Sequence, residues 1–268
     1  MEKFEIKENY EIDDLIKVMA MLRSENGCAW DKVQTHESIK KNLIEETYEV
    51  IEAINLGDTP LLKEELGDVL LQVVFHAQMA DEVGKFDFTD VADGICKKLV
   101  ERHPHVFGDV SANSSEEALV SWDEVKRKTK GQKTQGSSMI KVPKELPALM
   151  RSQKIQAKAK KAGFDWDDVS GAFESLESEI AELKEAMQIK TQQDIEEEFG
   201  DLLFSAVNIA RFIDVDSEEA LSKASDKFVN RYLIVEKLAE EKGIDMKNTP
   251  IEELDELWKE AKKIIVSN

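Results

Sequence analysis

Four acidic residues recur at one fixed interval: Glu46, Glu49, Glu65 and Asp68 are followed, each 133 positions later, by Glu179, Glu182, Glu198 and Asp201. In a chain of 268 residues that spacing leaves room for two copies of one unit, each of ordinary domain size. Within each copy the acids form two pairs three residues apart, and residues at i and i+3 share a face of an α-helix. Two such helices packed antiparallel gather four carboxylates. The second pair also repeats its interior, Glu65-Leu-Gly-Asp68 against Glu198-Phe-Gly-Asp201. Glycine inside a helix costs roughly 1 kcal/mol relative to alanine, so Gly67 and Gly200 predict a close backbone approach at equivalent places. The acids interrupt the apolar stretches Val69 to Phe75 and Leu202 to Ala210, which predicts carboxylates turned toward an interior.

That much negative charge in a partly apolar groove requires compensation, because desolvating unpaired carboxylates is very costly. A hard cation supplies it. All-oxygen donors with no Cys or His among them favour Mg²⁺, with Mn²⁺ as a substitute, over Zn²⁺. In a chain with 34% charged residues a single ExxE or ExxD pair arises by accident as a solvated helix face; the duplication is what sets these apart. A di-iron carboxylate bundle would need Glu-x-x-His pairs, and none of His36, His76, His103 or His105 has Glu three residues before it.

The formal charge of -20 argues against a general nucleic-acid or anionic-membrane binder. Cys28 and Cys96 are too few for a disulfide framework, the start Met1-Glu-Lys-Phe-Glu5 is unlike a secretory leader, and no apolar run approaches the roughly 20 residues that span a bilayer. The expectation is a cytoplasmic protein.

Helical spacing covers residues 11–23, followed by a loop at Asn26-Gly27-Cys28-Ala29-Trp30-Asp31. Thr35 is placed to cap a helix ended by Gly57, and Asp58-Thr59-Pro60 opens the next, running to about Val83. A helix near 89–103 stops at Pro104, and Ser114-Ser-Glu-Glu117 reads as a capping box. Between 126 and 161 stand twelve basic residues and one acid, Glu145. The stretch is read as a boundary, giving domains at 1–126 and 147–268 joined by a basic linker at 127–146. The second half replays the first: Gly163-Phe-Asp-Trp166-Asp167 echoes Gly27-Cys-Ala-Trp30-Asp31, and helices are expected near 170–189, 192–213, 217–242 and from Thr249-Pro-Ile-Glu252 onward. No segment alternates like a strand, so the fold class is all-α.

A second constellation is duplicated in the same order. Lys98 and Arg102 are four apart, as are Lys227 and Arg231; Trp122 and Lys126 are four apart, as are Trp258 and Lys262. Cations grip the phosphate oxygens a metal leaves free, Arg in bidentate fashion, and a flat ring stacks on a base. Metal, cations and ring together describe a nucleoside triphosphate.

These motifs together, from Glu25-Asn-Gly-Cys-Ala-Trp-Asp31 through Glu45-Glu-Thr-Tyr-Glu49, Glu65-Leu-Gly-Asp68 and Arg102-His-Pro-His-Val-Phe107 to the second-half copies, make the chain resemble the MazG family of nucleoside triphosphate pyrophosphohydrolases in its long, two-domain form. The resemblance implies helical cores completed as four-helix bundles by dimerisation, and Mg²⁺-dependent attack of water between the α- and β-phosphates of (d)NTPs, releasing a nucleoside monophosphate and diphosphate. On it Glu179, Glu182, Glu198 and Asp201 become metal ligands. Lys227, Arg231, Trp258, Lys262 and Lys126 become nucleotide contacts. The N-terminal set Glu46, Glu49, Glu65, Asp68, Lys98 and Arg102 is expected to be structural or weakly active, because the family's C-terminal half carries the activity. Glu197 and Glu185 are candidates to take a proton from the attacking water. The chain departs from the family pattern at Ser178, Asp194 and Ala29. The rival reading is a non-catalytic helical module that binds a nucleotide or a partner.

Overall fold

The computed structural model describes residues 4–108, 114, 117, 122, 125, 135–189 and 191–267, and among them there are helices and turns but no strand. They divide into two compact units, Met1–Lys130 and Gly131–Asn268. Among the described residues no helix is long and apolar enough to cross a membrane.

The N-terminal unit is built on an antiparallel pair, α2 (Lys40–Leu56) and α3 (Thr59–Asp81), joined through Gly57, whose left-handed backbone (φ 67°) ends α2. Asp58 caps α3 by accepting from the Leu61 amide, and Pro60 sits in the first turn. α1 (Ile12–Arg23) packs against α3, and α4 (Phe88–Arg102) follows with the reciprocal cap Asp87–Asp90. Pro104 ends α4 and opens the single turn α5 (Pro104–Phe107). Met19, Ile39, Val74, Phe75 and Met79 make the core of this unit. Thr35 does cap, exchanging hydrogen bonds with Ser38, but it closes a separate turn ahead of α2.

In the C-terminal unit α6 (Gln135–Met139) packs on α7 (Ala148–Lys161), and α7 lies against α9 (Gln192–Phe212). α8 (Val169–Ile189) and α9 form the second acidic hairpin, with Thr191 and Asp194 capping α9 reciprocally. α10 (Ser217–Lys242) and α11 (Ile251–Ser267) form another hairpin, with Val235, Leu238, Ala239, Leu257 and Ala261 between them. Ahead of α11 the Thr249 hydroxyl donates to the Asp245 carbonyl at 2.7 Å.

The expectation of close approach at the two helical glycines is not met within the chain. A Cβ at Gly67 or at Gly200 would meet nothing within 4 Å. Gly171 is the crowded one: a Cβ there would lie 2.3 Å from Cδ1 of Trp166, so the first turn of α8 accepts the indole only because that residue has no side chain.

Candidate active site

Packing α8 against α9 delivers the acids to one place. One carboxylate oxygen each from Glu179, Glu182 and Glu198 lies within 4.8 Å of the others, with Glu179 and Glu198 half-buried and Glu182 exposed. Asp201, a turn further along α9, falls outside that tight set and is exposed, yet its charge is felt by Glu179. The Glu179 carboxyl is held above the usual carboxylate range, first by burial and then by Glu182, Asp201 and Glu198. Ser178 donates to Glu182 Oε1 at 2.9 Å, and Ser175 and Ser205 meet at 3.2 Å across the hairpin. Glu185 and Glu197 are exposed.

The N-terminal hairpin repeats the cluster: Glu46, Glu49 and Glu65 also present oxygens within 4.8 Å of one another. Burial pushes Glu46 up, with Asp68 and Glu49 adding to it while a hydrogen bond from Gln72 works the other way. Burial pushes Glu65 up too, followed by Glu49 and Asp68. Among the described residues these two clusters are the sets of three or more acids, cysteines or histidines close enough to share an ion. Converging oxygens whose charges raise one another's proton affinity fit a hard divalent cation, and the sets contain no soft donor.

The cationic constellation stands on the other hairpin. The Arg231 guanidinium lies over the Trp258 ring at 5.8 Å and its Nε is buried without a hydrogen-bond partner; Phe228 meets the same indole at 5.1 Å. In the first unit Arg102 lies over Trp122 at 5.0 Å, again with a buried, unpartnered Nε. The ring was expected to stack on a base; in the structure each tryptophan instead lies under an arginine of its own unit. Trp258 is half-buried in the α10–α11 seam, whereas Lys98, Lys227 and Lys262 are exposed. Lys126 lies outside the described residues.

One feature of the C-terminal unit escaped the sequence reading. A cavity of about 510 Å³ opens beside the acidic hairpin, walled by Gln156 of α7, Phe164 and Trp166 of the following loop, and Phe204, Asn208 and Arg211 of α9. Arg211 is fixed by Asp165 (Nη1 to Oδ2 3.0 Å, Nη2 to Oδ1 2.5 Å) and donates from Nε to Asn208 Oδ1 at 2.9 Å. Gln156 donates from Nε2 to the Phe204 carbonyl at 2.7 Å, and its Oε1 is buried with no partner. A signal was present: Asn208 and Arg211 are polar residues inside or just past an apolar helical run.

At the corresponding positions the first unit carries larger side chains. Phe75 stands seven residues after Asp68, as Asn208 does after Asp201; Arg23 stands four before Gly27, as Ala159 does before Gly163. Phe75 is buried at 4% exposure, with Trp30 edge-on at 6.4 Å and the Arg23 guanidinium 5.3 Å from its ring. Arg23 is anchored by Glu82 and by the Asp31 and Gln34 carbonyls.

A family model described as the MazG nucleotide pyrophosphohydrolase domain matches residues 34–107 and 168–235, one segment in each unit. The chain is 49% identical over 250 residues to the nucleoside triphosphate pyrophosphohydrolase/pyrophosphatase MazG of Thermotoga maritima, covering 93% of this chain and 95% of that one. It is 45% identical over 256 residues to the nucleoside triphosphate pyrophosphohydrolase of Escherichia coli, covering 94% and 97%. An uncharacterized Bacillus subtilis protein, YabN, is 44% identical over 95% of this chain, which spans 52% of that protein.

Proposed function

Because the chain belongs to the MazG family and is a nucleoside triphosphate pyrophosphohydrolase, we propose that its C-terminal unit carries the reaction, converting an NTP and water to a nucleoside monophosphate and diphosphate over a broad range of bases. The observation that carries this choice is the cavity beside the carboxylate hairpin of that unit, large enough for a base, where the first unit places the larger Phe75 and Arg23 at the corresponding positions.

Glu179, Glu182 and Glu198, with Asp201 a turn away, are the groups that would hold Mg²⁺, or Mn²⁺ in its place. Such an ion, when bound, neutralises phosphate charge and lowers the pKa of a coordinated water. The chain's own residues do the rest. The half-buried Glu179 and Glu198 would keep that ion at the hairpin, Glu197 or Glu185 takes a proton from the attacking water, and the cavity holds the base so that the α-phosphorus stays in line. Lys227 and Arg231, with Lys262 and Lys126, supply positive charge to the remaining phosphate oxygens.

Lys227, Arg231 and Lys262 lie on a different hairpin from the acids, and much apolar surface on α9 and α10 is uncovered: Phe199 and Leu203 on α9, Phe228, Val229, Tyr232 and Leu233 on α10. Surface of that kind supports a homodimer in which a second copy completes the helical bundle beside the open face at Gly200. The N-terminal unit keeps the acids but fills the space where a base would sit, which supports a structural or weakly active role. A cytoplasmic location accords with nucleotide substrates and with the free cysteines Cys28 and Cys96.

Incubation with ATP and Mg²⁺ should yield AMP and diphosphate; ADP and orthophosphate instead would refute attack between the α- and β-phosphates. Saturable ATP binding with no turnover would return the chain to a non-catalytic module.

A further inference from the structure

We infer that His36 and His76 form a two-imidazole site in the first unit for a first-row divalent cation that favours right-angle ligands, such as Cu²⁺ or Ni²⁺. All four histidines of the chain lie in that unit, and Ile209 holds the place of His76 in the second. The pair is separate from the acids: His76 lies eight residues beyond Asp68, about 12 Å along α3, and neither histidine belongs to the carboxylate set. It therefore stands whichever unit turns over nucleotides.

The two Nδ1 atoms are 2.8 Å apart, and the ring planes are parallel to within 1° with centroids 5.1 Å apart. Rings stacked face to face would keep every atom at least about 3.5 Å from its neighbour. These rings therefore meet edge to edge, each Nδ1 directed at the other. In the metal-free pair one Nδ1–H donates to the other nitrogen. When the donor ring shifts its proton to Nε2, both Nδ1 lone pairs become free, and a swing of the exposed His36 ring brings them to one point with no proton leaving the protein. Nitrogens bound about 2.05 Å from one ion stand about 2.9 Å apart at a right angle and about 3.3 Å apart at the tetrahedral angle. The spacing here is the right-angle one, which sets Cu²⁺ and Ni²⁺ ahead of Zn²⁺, and the nitrogen donors exclude Mg²⁺.

The backbone under each ring is fixed. Thr35 and Ser38 close the turn that carries His36 by exchanging hydrogen bonds, and Ile39 anchors that turn in the core; His76 stands between the buried Phe75 and Ala77. Burial, and then His36, hold His76 below the usual histidine range, so its ring is neutral at neutral pH and able to ligate. The exposed side of His36 leaves the remaining coordination positions to water. An ion held there would tie the turn ahead of α2 to the middle of α3.

The test is NMR of the imidazole nitrogens in the full chain at neutral pH, with Mg²⁺ present throughout and Cu²⁺ added in substoichiometric steps. The His36 and His76 signals should broaden together, ahead of those of His103 and His105, and electron paramagnetic resonance of the bound ion should show two nitrogens. His36→Gln changes an exposed turn residue; it should abolish the two-nitrogen spectrum and weaken Cu²⁺ binding on the order of tenfold or more, since even an outer-shell partner of a ligand is worth that much. Ni²⁺ should raise the melting temperature of the wild-type chain more than that of His36→Gln, by mass action on the native state. In the wild-type chain, broadening of all four histidines alike, earlier broadening of His103 and His105, or a one-nitrogen spectrum overturns the assignment without recourse to any variant. Broadening of His76 at an unchanged Cu²⁺ midpoint in His36→Gln also overturns it, because the two rings would then bind separately, and so does an equal Ni²⁺ effect on the two melting temperatures.

Discussion

Two units of common descent hold their acids alike and differ in the space next to them. In the first, Phe75 and Arg23 close the gap between α1, the Trp30 loop and α3, and an ion pair with Glu82 bolts the arginine in place. In the second, Asn208 and Ala159 occupy the corresponding positions, Phe204 and Trp166 line what is left open, and the fixing arginine, Arg211, comes from α9 instead. The lesson is that a carboxylate cluster does not by itself mark the working half. What separates the units is the neighbouring volume, bounded in the second by Asn208 and Ala159 and occupied in the first by the side chains of Phe75 and Arg23.

The comparison can be broken by exchanging its parts. Phe75→Ala should destabilise the first unit by about 3–5 kcal/mol, since it empties a packed aromatic site, while Asn208→Ala should cost about 1 kcal/mol, the loss of one hydrogen bond; denaturant melts of the two variants read the difference. Asn208→Phe, which copies the closed unit into the open one, should lower kcat/KM on the order of tenfold for every NTP, and an unchanged value would mean that the base sits elsewhere. Mg²⁺ added to the metal-free protein should raise its melting temperature by a few degrees, by mass action on the native state, and Glu179→Gln should reduce that rise.

The smallest effect concerns pH. The hydrogen bond from Arg23 holds Glu82 below its ordinary pKa, so its contribution is present above the unfolded carboxylate value and is lost as pH falls through the lower folded value. Glu82→Gln should therefore flatten the acid limb of the stability profile by about 1–2 °C. Asp165 is the counterpart anchor in the second unit, where it pairs with Arg211.

Much of this was readable in advance because helices obey local rules. The caps at Asp58 and Thr191, the stop at Gly57 and the start at Pro60 depend on residues within one turn, and the i, i+3 acid pairs converge because a short antiparallel hairpin admits little else. The stacking of Arg231 on Trp258 was not foreseen, because pairs on two different helices carry no local sign of which side chains meet. Gly67 and Gly200 misled, since a helical glycine that faces open space and one that admits a neighbour look the same in a sequence. The cavity was hidden for a different reason: its walls come from α7, a loop and α9, and only tertiary packing reveals that Ala159 and Asn208 leave room where Arg23 and Phe75 do not.

The most direct test of the division of labour is diphosphate release from ATP with saturating Mg²⁺ by two full-length variants, Glu198→Gln and Glu65→Gln. The account predicts that Glu198→Gln abolishes release and that Glu65→Gln retains most of it. Loss of activity in Glu65→Gln with activity kept in Glu198→Gln would contradict it and assign the chemistry to the closed unit.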